Sequence, residues 1–380
     1  MSLELADIFR QYAPAYRQKY AAHLLPSHRQ AMLAIERCRT PALGGQVYSC
    51  ASCAEIRYSY HSCRNRHCPK CQQERTEAWL NLQGDLLLPV PYFMLTFTLP
   101  EPLRSLARQN QKLFYHALFQ ASAEATQKLA QDPRYVGGQI GMVGVLHTWT
   151  RNLAYHPHVH YLVPGGGLNG SNWLPSRPDF FLPVKALSKL FRACFQRILR
   201  KSPLFSHIPN KVWSQAWVVH CLPVGSGHAT LKYLAPYIYR VAISNRRLVE
   251  IVHKGSMETS QVTFQYRTSD TGQLKHCSLS VEHFIQRFLQ HVLPKGFVKV
   301  RYFGFFAHNR RTALALARKL LTKDSAFPSS TPTTVSQPIP SVSFPDPQKM
   351  LCPACGQPMH LLRSLAPLAC VASRPSARSP

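Results

Sequence analysis

Acidic residues are scarce in this 380-residue chain: 17 Asp and Glu stand against 45 Lys and Arg, a formal net charge of +28. A neutral small-molecule enzyme has little use for such a field, so a polyanionic partner is the first expectation. Long apolar runs are lacking too. Leu86-Leu87-Leu88 and the stretch from Val143 to Leu146 fall far short of the roughly 20 residues a membrane span requires, and no membrane anchor is expected. The opening Met1 to Arg10 holds two acids and lacks the basic-then-apolar order of a secretory signal. That predicts a cytoplasmic chain whose 12 cysteines stay reduced. With 45% hydrophobic and 11% aromatic residues it is no disordered basic tail, and its length suits more than one domain.

The carboxylate shortage is sharpest in the middle. Residues 1–90 hold 11 basic and 7 acidic residues, 91–320 hold 29 and 8, and 321–380 hold 5 and 2. Only Glu250, in Arg247-Leu248-Val249-Glu250-Ile251-Val252, sits in an apolar strand-like run, so the acidic triad of an RNase H-like, two-metal enzyme has no candidates. Six prolines in the 25 residues from Asp324 to Gln348 argue against helix or sheet there. The expected organisation is a metal-binding, DNA-binding module at 1–90, a basic domain at 91–320, a linker at 321–349 and a small tail at 350–380.

Two CxxC pairs, Cys50-x-x-Cys53 and Cys68-x-x-Cys71, flank a short segment containing Cys63 and His67. Four thiolates at such spacing can close a tetrahedral shell around one Zn²⁺, leaving no open position for substrate. Cys63 and His67 are surplus to that set and could replace a ligand or help hold a second ion. Arg64, Asn65, Arg66, His67 and Lys70 line the second knuckle, as a DNA-contacting finger or a solvated basic loop would. A further knuckle, Cys352-Pro353-Ala354-Cys355-Gly356, shows half a zinc site. Its remaining ligands could be His360 and Cys370, or Cys63 and His67.

The segments ending at His147-Thr148-Trp149 and running through His156-Pro157-His158-Val159-His160-Tyr161 both read as strands, closed by turn signals at Asn152 and at Gly165-Gly166-Gly167. About eight residues separate them, which predicts an antiparallel pair. In a strand, residues two apart share a face, so His158 and His160 point together, and His147 can lie across from them. Three imidazoles with an open position suit a catalytic divalent ion. His156 shares their parity, although Pro157 complicates the strand there. Tyr233 and Tyr237, four apart in Leu231-Lys232-Tyr233-Leu234-Ala235-Pro236-Tyr237, would stack on one helix face, with Pro236 marking a kink or a later start.

Two segments suggest strand handling. Arg192, Arg197, Arg200 and Lys201 follow a helical pattern. Phe297, Lys299, Arg301, Tyr302, Phe303, Phe305, Phe306, Arg310 and Arg311 interleave rings and cations, as a single-strand platform or a buried strand with a basic helix would.

The blocks Ser62-Cys63-Arg64-Asn65-Arg66-His67-Cys68-Pro69-Lys70-Cys71, His156-Pro157-His158-Val159-His160, Tyr233-Leu234-Ala235-Pro236-Tyr237 and Val300-Arg301-Tyr302-Phe303-Gly304-Phe305-Phe306-Ala307 resemble, in the same order, the insertion-sequence ninety-one family of two-tyrosine rolling-circle transposases. The resemblance spans about residues 10–320 and continues to the terminal CPxCG; Leu361 to Pro380 has no counterpart in it. It implies a His-hydrophobic-His (HUH) nuclease that nicks and joins single-stranded DNA through a 5′-phosphotyrosine. Tyr233 and Tyr237 would be nucleophiles, and His158 and His160 would bind Mg²⁺ or Mn²⁺. For the third ligand, His147 has the spacing of related relaxases, with Asn152 or a distant Gln as alternatives. The implied fold is α+β, with a central, mostly antiparallel sheet and flanking helices behind a zinc module. DNA, single-stranded at transposon ends and target, is the implied partner, at the bacterial nucleoid. The competing functions are a plasmid-type relaxase or replication initiator with the same chemistry, and a non-catalytic zinc-finger DNA-binding protein.

Overall fold

The computed structural model describes residues 3–72, 87–226, 241–268, 271–323 and 350–368. Two amphipathic helices open the chain, α1 (Leu5–Lys19) and α2 (Pro26–Arg37). Asp7 accepts from the Glu4 N–H at the start of α1, and Pro26 occupies the first position of α2, where a missing N–H costs nothing. Leu5, Ile8, Phe9, Tyr12 and Tyr16 recur at helical spacing and bury one face of α1. A hairpin follows, β1 (Gly45–Cys50) and β2 (Ile56–Tyr60).

The middle of the chain builds a five-stranded sheet. Strand β3 (Pro91–Thr98) leads through the long helix α3 (Gln111–Ala130) to β4 (Met142–Trp149) and β5 (Tyr155–Pro164). A small hairpin, β6 (Gly166–Asn169) and β7 (Asn172–Pro175), precedes helix α4 (Val184–Leu199) and edge strand β8 (Val219–Ser226). Strands β9 (Leu248–Val252), β10 (Gln261–Arg267) and β11 (Leu274–Ser280) form a second antiparallel sheet, capped by helix α5 (Val281–Leu289). Then come β12 (Val300–Phe303), helix α6 (Arg311–Lys323) and, beyond residues 324–349, β13 (Met359–Leu365). The central order is β12-β4-β5-β3-β8, antiparallel throughout. The protein is thus α+β, as its sequence predicts.

Strand alternation divides the side chains between two faces. Phe93, Leu95 and Phe97 on β3 pair with Val163, Tyr161 and Val159 on β5, and all six are buried in one core with α3 and α4. Each such side chain contributes about 1.5–3 kcal/mol by leaving water. The opposite face presents Tyr92, Met94, Val143, Val145 and Leu162 to Phe305, Phe306 and α6. Its parity carries on along β4 and β5 to His147, His160 and His158. Gly144 makes the first core possible: a Cβ there would meet the Tyr161 ring at 2.5 Å. Tyr161 in turn donates to the Phe119 carbonyl at 3.1 Å and lies 2.8 Å from the Ser122 hydroxyl, tying sheet to helix.

Sequence segments and cores do not coincide. The buried face of α1 and α2 shares one cluster with Val262, Phe264, Phe284 and Phe288, and Phe9 meets Phe288 edge-on at 5.3 Å. At the other end of the chain, β13 pairs antiparallel with β1, from Gly45 opposite Leu365 to Cys50 opposite Met359, giving the order β13-β1-β2. Residues 350–368 are therefore an integral part of the N-terminal module. No helix among the described residues is long and apolar enough to cross a membrane.

Candidate functional site

Three imidazoles converge on the central sheet. In the β4–β5 ladder His147 stands opposite His158, and Val145 opposite His160, so all three rings share a face at one end of the strands. One nitrogen of each lies within 4.8 Å of the others. Ring centroids are 5.5 Å apart for His147 and His158, 5.1 Å for His147 and His160, and 4.8 Å for His158 and His160. His147 is 3% exposed, while the other two are half-buried.

Neighbouring groups orient two of the rings. His158 Nδ1 lies 2.7 Å from the His156 carbonyl, which requires that nitrogen to carry the proton and directs the Nε2 lone pair away. His160 Nδ1 lies 2.9 Å from the Thr96 hydroxyl on β3, the residue opposite it in the ladder. Such partners fix ring orientation in metal sites. The donor set fits a divalent cation with open positions. Asn152 turns away: its side chain takes hydrogen bonds from Thr150 and the Ala154 N–H within its own turn. Strand β5 runs straight through Pro157, whose carbonyl accepts from the Leu99 N–H at 3.0 Å. Tyr233 and Tyr237 lie outside the described residues.

The cysteines group differently from the expectation that Cys50, Cys53, Cys68 and Cys71 share one ion. Cys68 and Cys71 join Cys38 and Cys63, whereas Cys50 and Cys53 join Cys352 and Cys355. The reason is β2, whose five residues at about 3.3 Å each carry the chain roughly 16 Å from the first knuckle before Cys63 is reached. In the first group Cys71 Sγ lies 3.7 Å from Cys38 Sγ and 3.6 Å from Cys63 Sγ. Tetrahedral ligands at a Zn–S distance of about 2.3 Å stand about 3.8 Å apart, so the set matches zinc. Thiol contacts divide the protons unevenly here: Cys63 and Cys68 hydrogen-bond to Cys38 and draw it down to about 7, and Cys71 is held lower still by Cys38, Cys63 and Cys68. The same contacts push Cys63 and Cys68 up, so all four can ionise together only beside a cation. Cys38, at the end of α2, belongs to no CxxC pair, and its sequence offers no spacing signal that would have found it.

His67 is not in either group. Its Nε2 accepts from the Leu293 N–H at 3.3 Å, and desolvation holds its pKa at about 3, so it is a neutral structural acceptor. The same loop is pinned to the main body. Arg66 donates to the carbonyls of Phe297 and, at 2.9 Å, Pro294, while Lys70 pairs with Glu4 at 2.7 Å. Arg66 and Lys70 are thus tied to the protein itself, which matches neither the DNA-contacting finger nor the solvated basic loop that the knuckle's sequence allows.

Of the two readings of the segment from Phe297 to Arg311, the rings favour the buried strand. Phe297, Phe305 and Phe306 are buried, and Arg301 lies over the rings of Phe119 and Phe297 at 4.4 and 5.1 Å. Among the helical cations, Arg197 pairs with Glu124 at 2.5 Å and Arg192 donates to the Gln215 carbonyl at 2.8 Å.

Comparison with known proteins gives two family matches along the chain. The family described as "Transposase zinc-binding domain" matches residues 8–99, and the family described as "Putative transposase" matches residues 141–313, which include all three histidines. The chain is 40% identical over 377 residues to "Putative transposase y4qJ" of Sinorhizobium fredii (strain NBRC 101917 / NGR234), covering 93% of each. It is 28% identical over 340 residues to "Transposase for insertion sequence element IS801" of Pseudomonas savastanoi pv. phaseolicola, covering 85% of this chain and 80% of that one. Together the α+β sheet, the thiol-built module and these matches define a zinc-binding DNA transposase. The chain belongs to the IS91 family.

Proposed function

We propose that this transposase nicks and joins single-stranded DNA in rolling-circle transposition, through a 5′-phosphotyrosine formed by Tyr233 or Tyr237. The observation that carries the reading is the convergence of His147, His158 and His160 on one face of the sheet. A Mg²⁺ or Mn²⁺ ion bound there would polarise a non-bridging phosphate oxygen and neutralise developing charge. His147 supplies the buried ligand, while Thr96 and the His156 carbonyl hold His160 and His158 in position. A tyrosine hydroxyl attacks phosphorus, its O–P bond forms as the P–O3′ bond breaks, and the departing 3′-oxygen takes up a proton. One phosphodiester replaces another of similar energy, so no nucleotide cofactor is required. The second tyrosine permits a second transesterification to the target. Cys38, Cys63, Cys68 and Cys71 bind a structural zinc ion that fixes the loop carrying Arg66. In this reading the protein works in the bacterial cytoplasm, at the nucleoid.

The test is incubation of the full chain with end-labelled single-stranded DNA and Mg²⁺ or Mn²⁺. A covalent protein–DNA adduct is expected, abolished in the Tyr233→Phe, Tyr237→Phe double variant and in His158→Ala, His160→Ala. Cleavage without an adduct overturns the tyrosine mechanism. A DNA-binding protein without catalysis would give neither.

A further inference from the structure

Two thiol knuckles about 300 residues apart meet at the end of β1. Cys50 Sγ lies 3.4 Å from Cys355 Sγ, and Cys53 Sγ 3.5 Å from Cys352 Sγ, with all four sulfurs within 4.8 Å of one another. Cys352 and Cys355 fall outside the matched zinc-binding domain of residues 8–99. We propose that Cys50, Cys53, Cys352 and Cys355 bind a second zinc ion, a clasp that fastens the C-terminal segment to the N-terminal hairpin.

The two knuckles have unlike sequences, Cys-Ala-Ser-Cys-Ala-Glu and Cys-Pro-Ala-Cys-Gly-Gln, yet adopt the same turn. Ala54 N–H donates to the Cys50 carbonyl at 3.0 Å, and Gly356 N–H to the Cys352 carbonyl at 2.8 Å. Cys50 N–H donates to Glu55 at 2.9 Å, and Cys352 N–H to Gln357 at 2.8 Å. Both turns require left-handed backbone at the fifth position, φ 59° at Ala54 and 73° at Gly356. Glycine adopts that conformation freely and alanine does so only under strain, so the first knuckle holds its shape against local preference. Two facing loops of this form present four sulfurs to a common centre, and the sulfur spacings approach the roughly 3.8 Å edge of a zinc tetrathiolate.

Apolar packing alone gives the tail little reason to dock. Of the seven residues in β13 only Met359 is buried, and the local core is Tyr48, Cys50, Cys352 and Met359. Leu361 and Leu362 remain exposed. Where a module is this small, metal binding is coupled to folding. The nearest sulfurs pair across the knuckles at distances well beyond the roughly 2.05 Å of a disulfide, as ligands of one ion do.

The experiment compares full-length chains in which His158→Ala and His160→Ala remove the imidazole site, with and without Cys352→Ser and Cys355→Ser. Zinc per chain is counted after purification under reductant, and Co²⁺ substitution reports thiolate coordination by its charge-transfer absorption. The expected result is two zinc ions per chain, falling to one in the serine variant with half the thiolate–Co²⁺ absorption lost. A protease site inserted in the segment 324–349 of the otherwise native chain supplies the second measurement. After cleavage the tail should co-elute with the body until a chelator is added. Equal zinc in both chains overturns the clasp, as does release of the tail by reductant alone, which would mark disulfide pairing.

Discussion

Thr96 stands directly opposite His160 in the β3–β5 ladder, with its hydroxyl 2.9 Å from His160 Nδ1. The contact leaves Nε2 as the nitrogen for an ion. Thr96→Val keeps the shape and removes the hydroxyl, so Mn²⁺ affinity should fall roughly 10- to 100-fold with unfolding unchanged within about 1 kcal/mol. Calorimetric titration with Mn²⁺ beside urea denaturation separates the two.

Gly144→Ala should destabilise the sheet. Its Cβ would sit 2.5 Å from the Tyr161 ring and 3.1 Å from the Phe119 ring, neither of which can yield without moving α3 off the strands. A cost of about 1–3 kcal/mol is expected, read as a lower urea midpoint.

The legible part of this molecule was the part whose signal is local. His147, His158 and His160 announce themselves because strand parity is a two-residue rule and their two strands are joined by a short turn. Thr96 was hidden, since its role depends on a register set more than sixty residues away. The cysteines misled for a different reason: CxxC pairs are chemically identical, and nothing local states which pair meets which. Only the length of β2, and a tail returning to β1, decides that. The segment from Phe297 to Arg311 left two readings open because cations laid over rings give the same sequence pattern on a nucleic-acid platform as around a buried core.

His291 gives the fold a pH dependence. It is 3% exposed, lies 3.2 Å from both the Thr148 hydroxyl and the Leu153 carbonyl, and burial lowers its pKa from 6.5 to about 4. The unfolded chain binds the proton first, so stability is full above pH 6.5, declines as pH falls, and levels off below about 4. The total loss is about 3 kcal/mol at 1.36 kcal/mol per pH unit. Chemical denaturation from pH 7 to pH 4 should show this slope, and His291→Gln should reduce it by that share, leaving the part that the desolvated His28 and His67 contribute.

Arg66→Ala tests whether the second knuckle is a finger or a fastening. Losing its bonds to the Phe297 and Pro294 carbonyls should lower stability by about 1.5–3 kcal/mol. A solvent-facing DNA contact would instead weaken binding and leave the melting temperature alone, so thermal unfolding without DNA distinguishes them.

Ala54→Gly relieves the left-handed strain at φ 59° and should raise stability by about 1 kcal/mol. Gly356→Ala, in the matching turn, should lower it by a similar amount. Melting temperatures of the two zinc-loaded variants provide the check.

The β13–β1 pairing also sets an order of assembly. The hairpin β1–β2 is made early, but the strand that pairs with β1 follows about 300 residues later. Until then β1 is an open edge with two thiols beside it, the arrangement most prone to pair with another chain. A product truncated between residues 324 and 349 would keep the histidines and tyrosines yet carry that unsealed edge permanently, so aggregation of such fragments would accompany loss of the tail even where every residue proposed for chemistry is intact.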